Sequence, residues 1–344
     1  MIPAMTRRLE EDEEATWRRR WIGRHAQGKE FDYSFDIYDP TKGWKSKPQL
    51  RDMKVFDNKV LNTNSIGLRG RTEHAYGKHP EKRRFVILGD SFTFGDEVSD
   101  DETYAHYLQE MIPSADIINM GVHGYGHDQM LILLKEEGIK FQPDIVLLGF
   151  VVSDMPRNLV QFAGYAKPKF VLDDYTLRIS GSPVPRPEDI LKWDWARPRL
   201  YDVWSALRYK WMVTSGRYDK QMKEVTKRVL DEMVVTIERA GAIAVFVYLP
   251  VGPEIYREST MTTGEMFFAN YCQGKNIECI TSRPHFIQKL QQGVRFERSG
   301  HWGPLGHQTV AEAIYEYLAG KNIVPSKAKS TRVPKPEKAL GRRR

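Results

Sequence analysis

The chain has 344 residues, 52 Lys or Arg against 45 Asp or Glu, a formal net charge of +7 and 41% hydrophobic residues. That length buries a sizeable core in one large domain, with room for a smaller appendage. No apolar run approaches the roughly 20 residues of a spanning helix, and the first residues pass into a charged stretch without a signal-peptide core, so no integral membrane span is expected and the sequence reads as cytoplasmic.

Residues 1–30 read as an N-terminal helical extension. Trp17, Trp21 and Ile22 among many charges predict an exposed helix that docks by a narrow aromatic stripe. Residues 31–80 read as a leader of short strands and turns packed on the main domain, punctuated by Tyr38-Asp39-Pro40, Lys42-Gly43-Trp44 and Asn64-Ser65-Ile66-Gly67. Asn62, Asn64 and Arg69 either face a site mouth or cap backbone, the commoner use of Asn.

From Arg84 the pattern becomes strand, then helix. Phe85–Leu88 is an apolar strand, and Tyr104–Met111 a helix introduced by Ser99-Asp100-Asp101-Glu102 with capping-box spacing. Ile117–Met120 reads as a strand and His127–Glu137 as an amphipathic helix closed by Gly138. Asp144–Val151 is a strand apolar enough to be buried on both faces. Repeated units of this size predict a mainly parallel sheet in a flavodoxin-like, three-layer α/β/α domain over residues 81–320. Periodicity fades between 163 and 216, where five prolines accompany Trp193, Trp195, Trp204 and Trp211. This insertion reads equally as a lid over a site or as a satellite core.

A helix at Tyr218–Ala240, strands at Ile243–Leu249 and Ile277–Ile280, and helices at Pro284–Gln292 and Thr309–Ala319 complete the domain. Cys272 and Cys279 are too few for a disulfide framework or a four-ligand zinc site and read as reduced, buried thiols. From Lys321 onward nine Lys or Arg face one acid, a surplus that exceeds the whole net charge. Residues 321–344 therefore read as a basic, disordered tail, serving solubility or contact with anionic surfaces, and a nucleic-acid partner is not expected.

The segment Phe85-Val86-Ile87-Leu88-Gly89-Asp90-Ser91 carries the chemistry. A serine in the turn after a buried strand presents its hydroxyl at the carboxyl edge of a sheet, where α/β proteins bind ligands. A free hydroxyl is a poor nucleophile and needs an imidazole within hydrogen-bond reach. Ser299-Gly300-His301-Trp302-Gly303, opening the last helix, offers His301.

Together, Gly89-Asp90-Ser91, the glycine-rich block Asn119-Met120-Gly121-Val122-His123-Gly124-Tyr125-Gly126 and His301 resemble the blocks of the SGNH, or GDSL, hydrolase superfamily over roughly residues 60–320. The resemblance implies the SGNH hydrolase fold, with Ser91 as nucleophile and His301 as base. It also implies oxyanion donors at the N–H groups of Ser91 and Gly121. Ser153 stands where relatives carry a third donor, an asparagine, and Asn158 is a candidate substitute from the following loop. The acid that relatives place two or three residues before the histidine falls at Arg298 or Ser299, neither a carboxylate. Ser299 itself, Glu297 or another carboxylate is left to orient the imidazole, or the site is a Ser–His dyad, or it is inactive. Asp90, His123, Arg157 and Asn158 are candidate substrate contacts, with Asp90 also able to hold the turn and Arg157 to pair with Asp154.

No metal or other cofactor is expected, because the histidines lack carboxylate or cysteine companions at ligand spacing. The glycine block reads G-x-x-G-x-G, not the dinucleotide-binding G-x-G-x-x-G. The expected function is an esterase or O-deacetylase acting on a small-molecule or glycan ester. The alternatives are an O-acyltransferase acting on a glycan, or a catalytically impaired glycan-binding protein.

Overall fold

The computed structural model describes residues 13–325 apart from 30, 32, 175, 195–198, 257–260, 276, 298 and 299. Ahead of the sheet come helix α1 (Glu13–Ala26) and two antiparallel hairpins, β1 (Asp36–Asp39) with β2 (Gly43–Ser46) and β3 (Met53–Val55) with β4 (Lys59–Leu61). Then follow β5 (Arg83–Leu88), the single turn α2 (Ser91–Phe94), α3 (Tyr104–Met111), β6 (Ala115–Asn119), α4 (His127–Glu136), β7 (Ile145–Phe150) and α5 (Asp154–Arg157). The predicted capping box closes a 3-10 turn just before α3, and Thr103 caps α3 itself by accepting from His106 N.

The insertion is more regular than its sequence suggests. It holds β8 (Phe162–Ala163), β9 (Tyr165–Ala166), the hairpin β10 (Lys169–Asp173) with β11 (Thr176–Ser180), and helices α6 (Pro187–Asp194) and α7 (Arg199–Thr214). Apolar residues lie on two faces of α7, Leu200, Val203, Trp204 and Leu207 on one and Ala206, Tyr209 and Met212 on the other, so the usual one-sided pattern of a surface helix is blurred. The chain closes with α8 (Arg217–Arg239), β12 (Ile243–Tyr248), α9 (Gly252–Ile255), α10 (Thr263–Cys272), β13 (Glu278–Thr281), α11 (Arg283–Gln291) and α12 (Pro304–Gly320). Helix α12 begins five residues earlier than its apolar pattern, with Pro304 supplying a φ suited to a first helical turn.

The central sheet is parallel throughout, in the order β13-β12-β7-β5-β6. Taken as 2-1-3-4-5 from the β6 edge, this is the flavodoxin-like order, and it reverses at β5. Alternate strand residues feed two cores. Val86, Leu88, Val146, Leu148 and Phe246 pack under α4 and α8 with Leu131, Leu134, Leu230 and Met233. Phe85, Ile87, Ile145, Leu147, Val245 and Val247 pack under α3, α11 and α12 with Leu108, Phe286, Val310 and Ile314. Burying each such side chain contributes roughly 1.5–3 kcal/mol, so the sheet is held rigidly from both sides.

The leader is clamped to the glycine-rich loop. Buried Trp44 donates from Nε1 to His123 O at 3.0 Å, and Tyr125 donates from its hydroxyl to Trp44 O at 2.5 Å. Gly43 next to it has φ +93°, and a Cβ there would lie 2.1 Å from Ala166 O, so only glycine fits. Trp21 of α1 is buried against Phe162.

Cys272 and Cys279 are joined by a disulfide linking the end of α10 to β13, with Cα atoms 6.3 Å apart. This corrects the expectation of two reduced thiols. The helix end and the edge strand converge in space, which a spacing of seven residues does not reveal. Such bonds persist in oxidising compartments and are rare in cytosolic proteins, which runs against the cytoplasmic expectation. Among the described residues no helix is long and apolar enough to cross a membrane.

Candidate active site

Ser91 sits where β5 hands over to α2, at the carboxyl edge of the sheet beside the strand-order reversal. Asp90 builds the turn as N-cap, its Oδ1 accepting from Phe92 N at 3.0 Å. Gly89 allows the sharp turn because a Cβ there would fall 1.9 Å from Thr93 Oγ1. His301 arrives from the opposite end of the domain, just before α12, and its Nε2 lies 2.8 Å from Ser91 Oγ. The other ring nitrogen, Nδ1, lies 3.1 Å from Oε1 of Glu97.

Glu97 therefore occupies the place sought at Ser299 and Glu297. Ser299 lies outside the described residues, and Glu297 is exposed, its carboxylate set against Gly303. Glu97 belongs to the loop after α2 and adopts φ +67°, a left-handed conformation costing a non-glycine residue roughly 1–2 kcal/mol. Strain of that kind persists only where surroundings enforce it. Here Arg69 does so from beneath, its side chain almost wholly buried. It donates to Val98 O at 2.8 Å and Gly95 O at 3.3 Å, and its Nε pairs with Asp100 Oδ1 at 2.6 Å. Asp96 N adds a bond to Ser91 O at 2.9 Å, tying the loop to the nucleophile's own turn. Arg69 thus braces the site loop, while Asn62 and Asn64 cap backbone amides of Asp52, Ile66 and Leu68.

A second carboxylate lies on the same loop. Asp96 Oδ2 is 4.0 Å from His301 Nε2, and Asp96 is buried. Burial drives its pKa up to about 6, the charges of His123, His301 and Arg69 pulling it down and Asp90 adding to the rise. A carboxyl raised in the fold adds relative stability in full below its unfolded value near 4, and that stability is lost as pH rises through about 6. The stability difference between wild type and Asp96→Asn is expected to shift against the wild type by up to about 3 kcal/mol from pH 4 to 7.5. Urea unfolding across that range measures it, and a flat difference would contradict the assignment.

The remaining candidates are mostly committed to one another. Burial and the neighbouring Asp90 hold Asp154 well above the usual carboxylate range. As an ionised acceptor its Oδ2 would have no donor; as the acid, its O–H faces the Asp90 carboxylate. Arg157 stands across this pair, 2.5 Å from Asp154 Oδ1 and 3.5 Å from Asp90 Oδ2, and donates to Tyr125 O at 3.0 Å. Asp90 Oδ2 lies 3.4 Å from Ser91 Oγ.

Asn158 does not reach toward Ser91. It is buried, accepts from Asp128 N at 3.1 Å and donates to Thr226 Oγ1 at 2.9 Å. His123 is likewise buried, its Nε2 2.6 Å from Asp36 Oδ2, with Tyr33 and Phe35 packed edge-on. Burial lowers its pKa, but the Asp36 carboxylate more than offsets this and the net direction is up, so His123 is committed to its contact with Asp36. His127 and His307 are neutral, burial pushing each down to about 3.

The Gly121 amide donates to Asn119 Oδ1 at 2.9 Å and is already engaged. A Cβ on Gly121 would meet Phe94 N at 2.3 Å, so its glycine serves the close packing of this loop on α2. Among the described residues the N–H groups of Ser91, His123 and Gly124 have no protein acceptor. Ser153 is exposed ahead of α5 and makes no hydrogen bond to Ser91 or His301 among the described residues. A cavity of about 780 Å³ lies elsewhere, between the leader and the β6 edge, and neither Ser91 nor His301 lines it.

Hydroxyl, imidazole and carboxylate thus form one continuous line, the geometry that nucleophilic acyl transfer requires: a nucleophile on its base, and the base on an orienting acid. Glu97 carried no motif signal; its only trace in the sequence is an acidic pair, Asp96-Glu97, in the loop directly after the serine turn.

No family model and no curated protein matches the sequence. Among solved structures, the chain is similar to a lipolytic protein of the G-D-S-L family from Desulfitobacterium hafniense, at 13% identity and a TM-score of 0.41, over 68% of this chain and 99% of that one. It is similar to LAE5, an α/β hydrolase enzyme from the metagenome of Lake Arreo, at 15% identity and a TM-score of 0.43, over 73% and 99% of the two chains. It is also similar to Axe2, an acetylxylan esterase from Geobacillus stearothermophilus, at 13% identity and a TM-score of 0.41, over 70% and 95%.

Proposed function

We propose that the chain is an SGNH-type serine hydrolase that cleaves a carboxylic ester through an acyl-enzyme on Ser91. The observation that carries this reading is the position of His301, 2.8 Å from Ser91 Oγ on one side and 3.1 Å from a carboxylate on the other. In the first half-reaction Ser91 Oγ attacks the ester carbonyl carbon and its proton passes to His301 Nε2. The carbon–oxygen bond to the alcohol then breaks, and the departing oxygen takes that proton from His301. Water, deprotonated by the same nitrogen, attacks the acyl-enzyme, and the carboxylic acid leaves as Ser91 recovers its proton.

Glu97 accepts a hydrogen bond from Nδ1–H, which keeps Nε2 free to act as base and offsets the imidazolium charge. The Ser91 N–H, with an amide from the 121–126 loop, would face the oxygen that becomes negative. A carboxylate on Nδ1 favours the catalytic reading over a non-catalytic one, whose grounds were the missing acid and Ser153 in place of the asparagine donor. The substrate we propose is an acetylated hydroxyl of a carbohydrate, a choice that rests on the family resemblance.

The test is covalent labelling. A fluorophosphonate probe is expected to add to the wild-type chain, with the adduct mapped by mass spectrometry to the peptide holding Ser91, and to leave Ser91→Ala unlabelled. Absence of label on the folded wild type, together with no acetate release from acetylated oligosaccharides or activated acetyl esters, would sink the hydrolase reading.

A further inference from the structure

Helix α7 is apolar on two sides. One side, with buried Ala206 and half-buried Ser205, Tyr209 and Met212, packs on α8. The opposite side stays uncovered: Leu200 is 81% exposed, Leu207 57%, Trp204 56%, Trp211 51% and Val203 46%. Turning about 100° per residue, these five side chains fall within an arc of roughly 100°, a single continuous stripe along the helix. Isolated exposed apolar residues are ordinary, but a stripe of two tryptophans, two leucines and a valine marks a contact surface.

The charges beside the stripe say what it meets. Arg208 and Lys210 are both exposed and flank it on opposite sides. Arg208 lies over the Trp204 ring, its guanidinium 5.9 Å from the centroid, and Arg217 over Trp211 at 4.5 Å. From 199 to 220 the sequence carries Arg199, Arg208, Lys210, Arg217 and Lys220 against Asp202 and Asp219. An apolar stripe edged by long cations, with tryptophans along it, is the pattern of a helix lying in a lipid headgroup layer: rings and leucines enter the acyl boundary while the cations reach back to phosphates. A second copy of the chain would bring the same cations against each other. The basic segment from Lys321 onward adds a second attraction of the same sign, and stable surface anchoring generally takes two such signals.

We infer that the exposed face of α7 docks the protein onto an anionic lipid surface. The inference is independent of the hydrolase reading and leaves Ser91, Glu97 and His301 untouched. It is tested with the full chain in flotation assays on vesicles of phosphatidylglycerol mixed with phosphatidylcholine, and on phosphatidylcholine alone. Wild type is expected to float with the anionic vesicles and to dissociate in high salt.

The triple variant Trp204→Ser, Leu207→Ser and Trp211→Ser keeps every charge and is expected to lower partitioning on the order of a hundredfold with Tm unchanged. Arg208→Glu with Lys210→Glu keeps the apolar stripe and is expected to weaken binding to anionic vesicles by a similar factor. Failure of the wild type to float overturns the inference, as does equal binding by the triple variant, which would leave the tail as the sole attachment. A concentration-dependent dimer in sedimentation, dispersed by the triple variant and unaffected by vesicles, would assign the stripe to a second copy and likewise overturn it.

Discussion

Ser91→Ala is expected to lower kcat on an activated acetyl ester by about 10⁴- to 10⁶-fold, with circular dichroism and Tm close to wild type. The size follows from the chemistry: without Oγ no acyl-enzyme forms, and only oxyanion donors and substrate binding remain to assist water. The fold should tolerate the change. Ser91 Oγ faces His301 and Asp90, and it is the Asp90 side chain that caps α2. His301→Ala is expected to match this loss closely, since nucleophile and base act as a unit, and the double variant should be little worse than either single one. Single-turnover kinetics on the three variants measures the non-additivity; independent, multiplying effects would show that the 2.8 Å contact is not used in catalysis.

Glu97→Gln is expected to reduce kcat by about 10²- to 10⁴-fold while KM stays within about threefold. Glutamine preserves shape but cannot neutralise the imidazolium, and its amide can present a donor where Nδ1–H needs an acceptor. Asp96 does not substitute, because it stands 4.0 Å from Nε2, on the serine side of the ring, and its carboxyl is held partly protonated near pH 6. A companion change separates catalysis from folding. Glu97→Gly suits the left-handed backbone at this position, so activity should fall as with glutamine while Tm does not decline. If Glu97→Gln kept full activity, the carboxylate on Nδ1 would be a packing feature and the hydrolase would run on a Ser–His pair.

The sheet was legible because its strands are nearly continuous apolar runs, each followed by a helix with its own stop signal; predicted and observed strands differ by one or two residues at their ends. The Gly89-Asp90-Ser91 turn was legible for the same reason: a buried strand leaves little doubt where the chain must emerge. Glu97 was not. Its partner lies 204 residues away, and its left-handed backbone depends on Arg69 reaching in from the leader, a tertiary contact with no local signature. Helix α7 escaped because apolar residues on two faces blur a 3.6-residue period. Asn158 and His123 looked available as substrate contacts because sequence shows which polar groups exist, not which are already bonded to each other.

Ser91 and Glu97 ride on one short stretch of backbone, so the machinery divides into two pieces, a helical turn and loop carrying hydroxyl and acid, and a lone imidazole near the C-terminal end. Pattern scans that demand a carboxylate immediately upstream of the terminal histidine would discard this chain, and any other with the same division of labour, as inactive. A filter keyed to an acidic residue six positions after the serine would recover them.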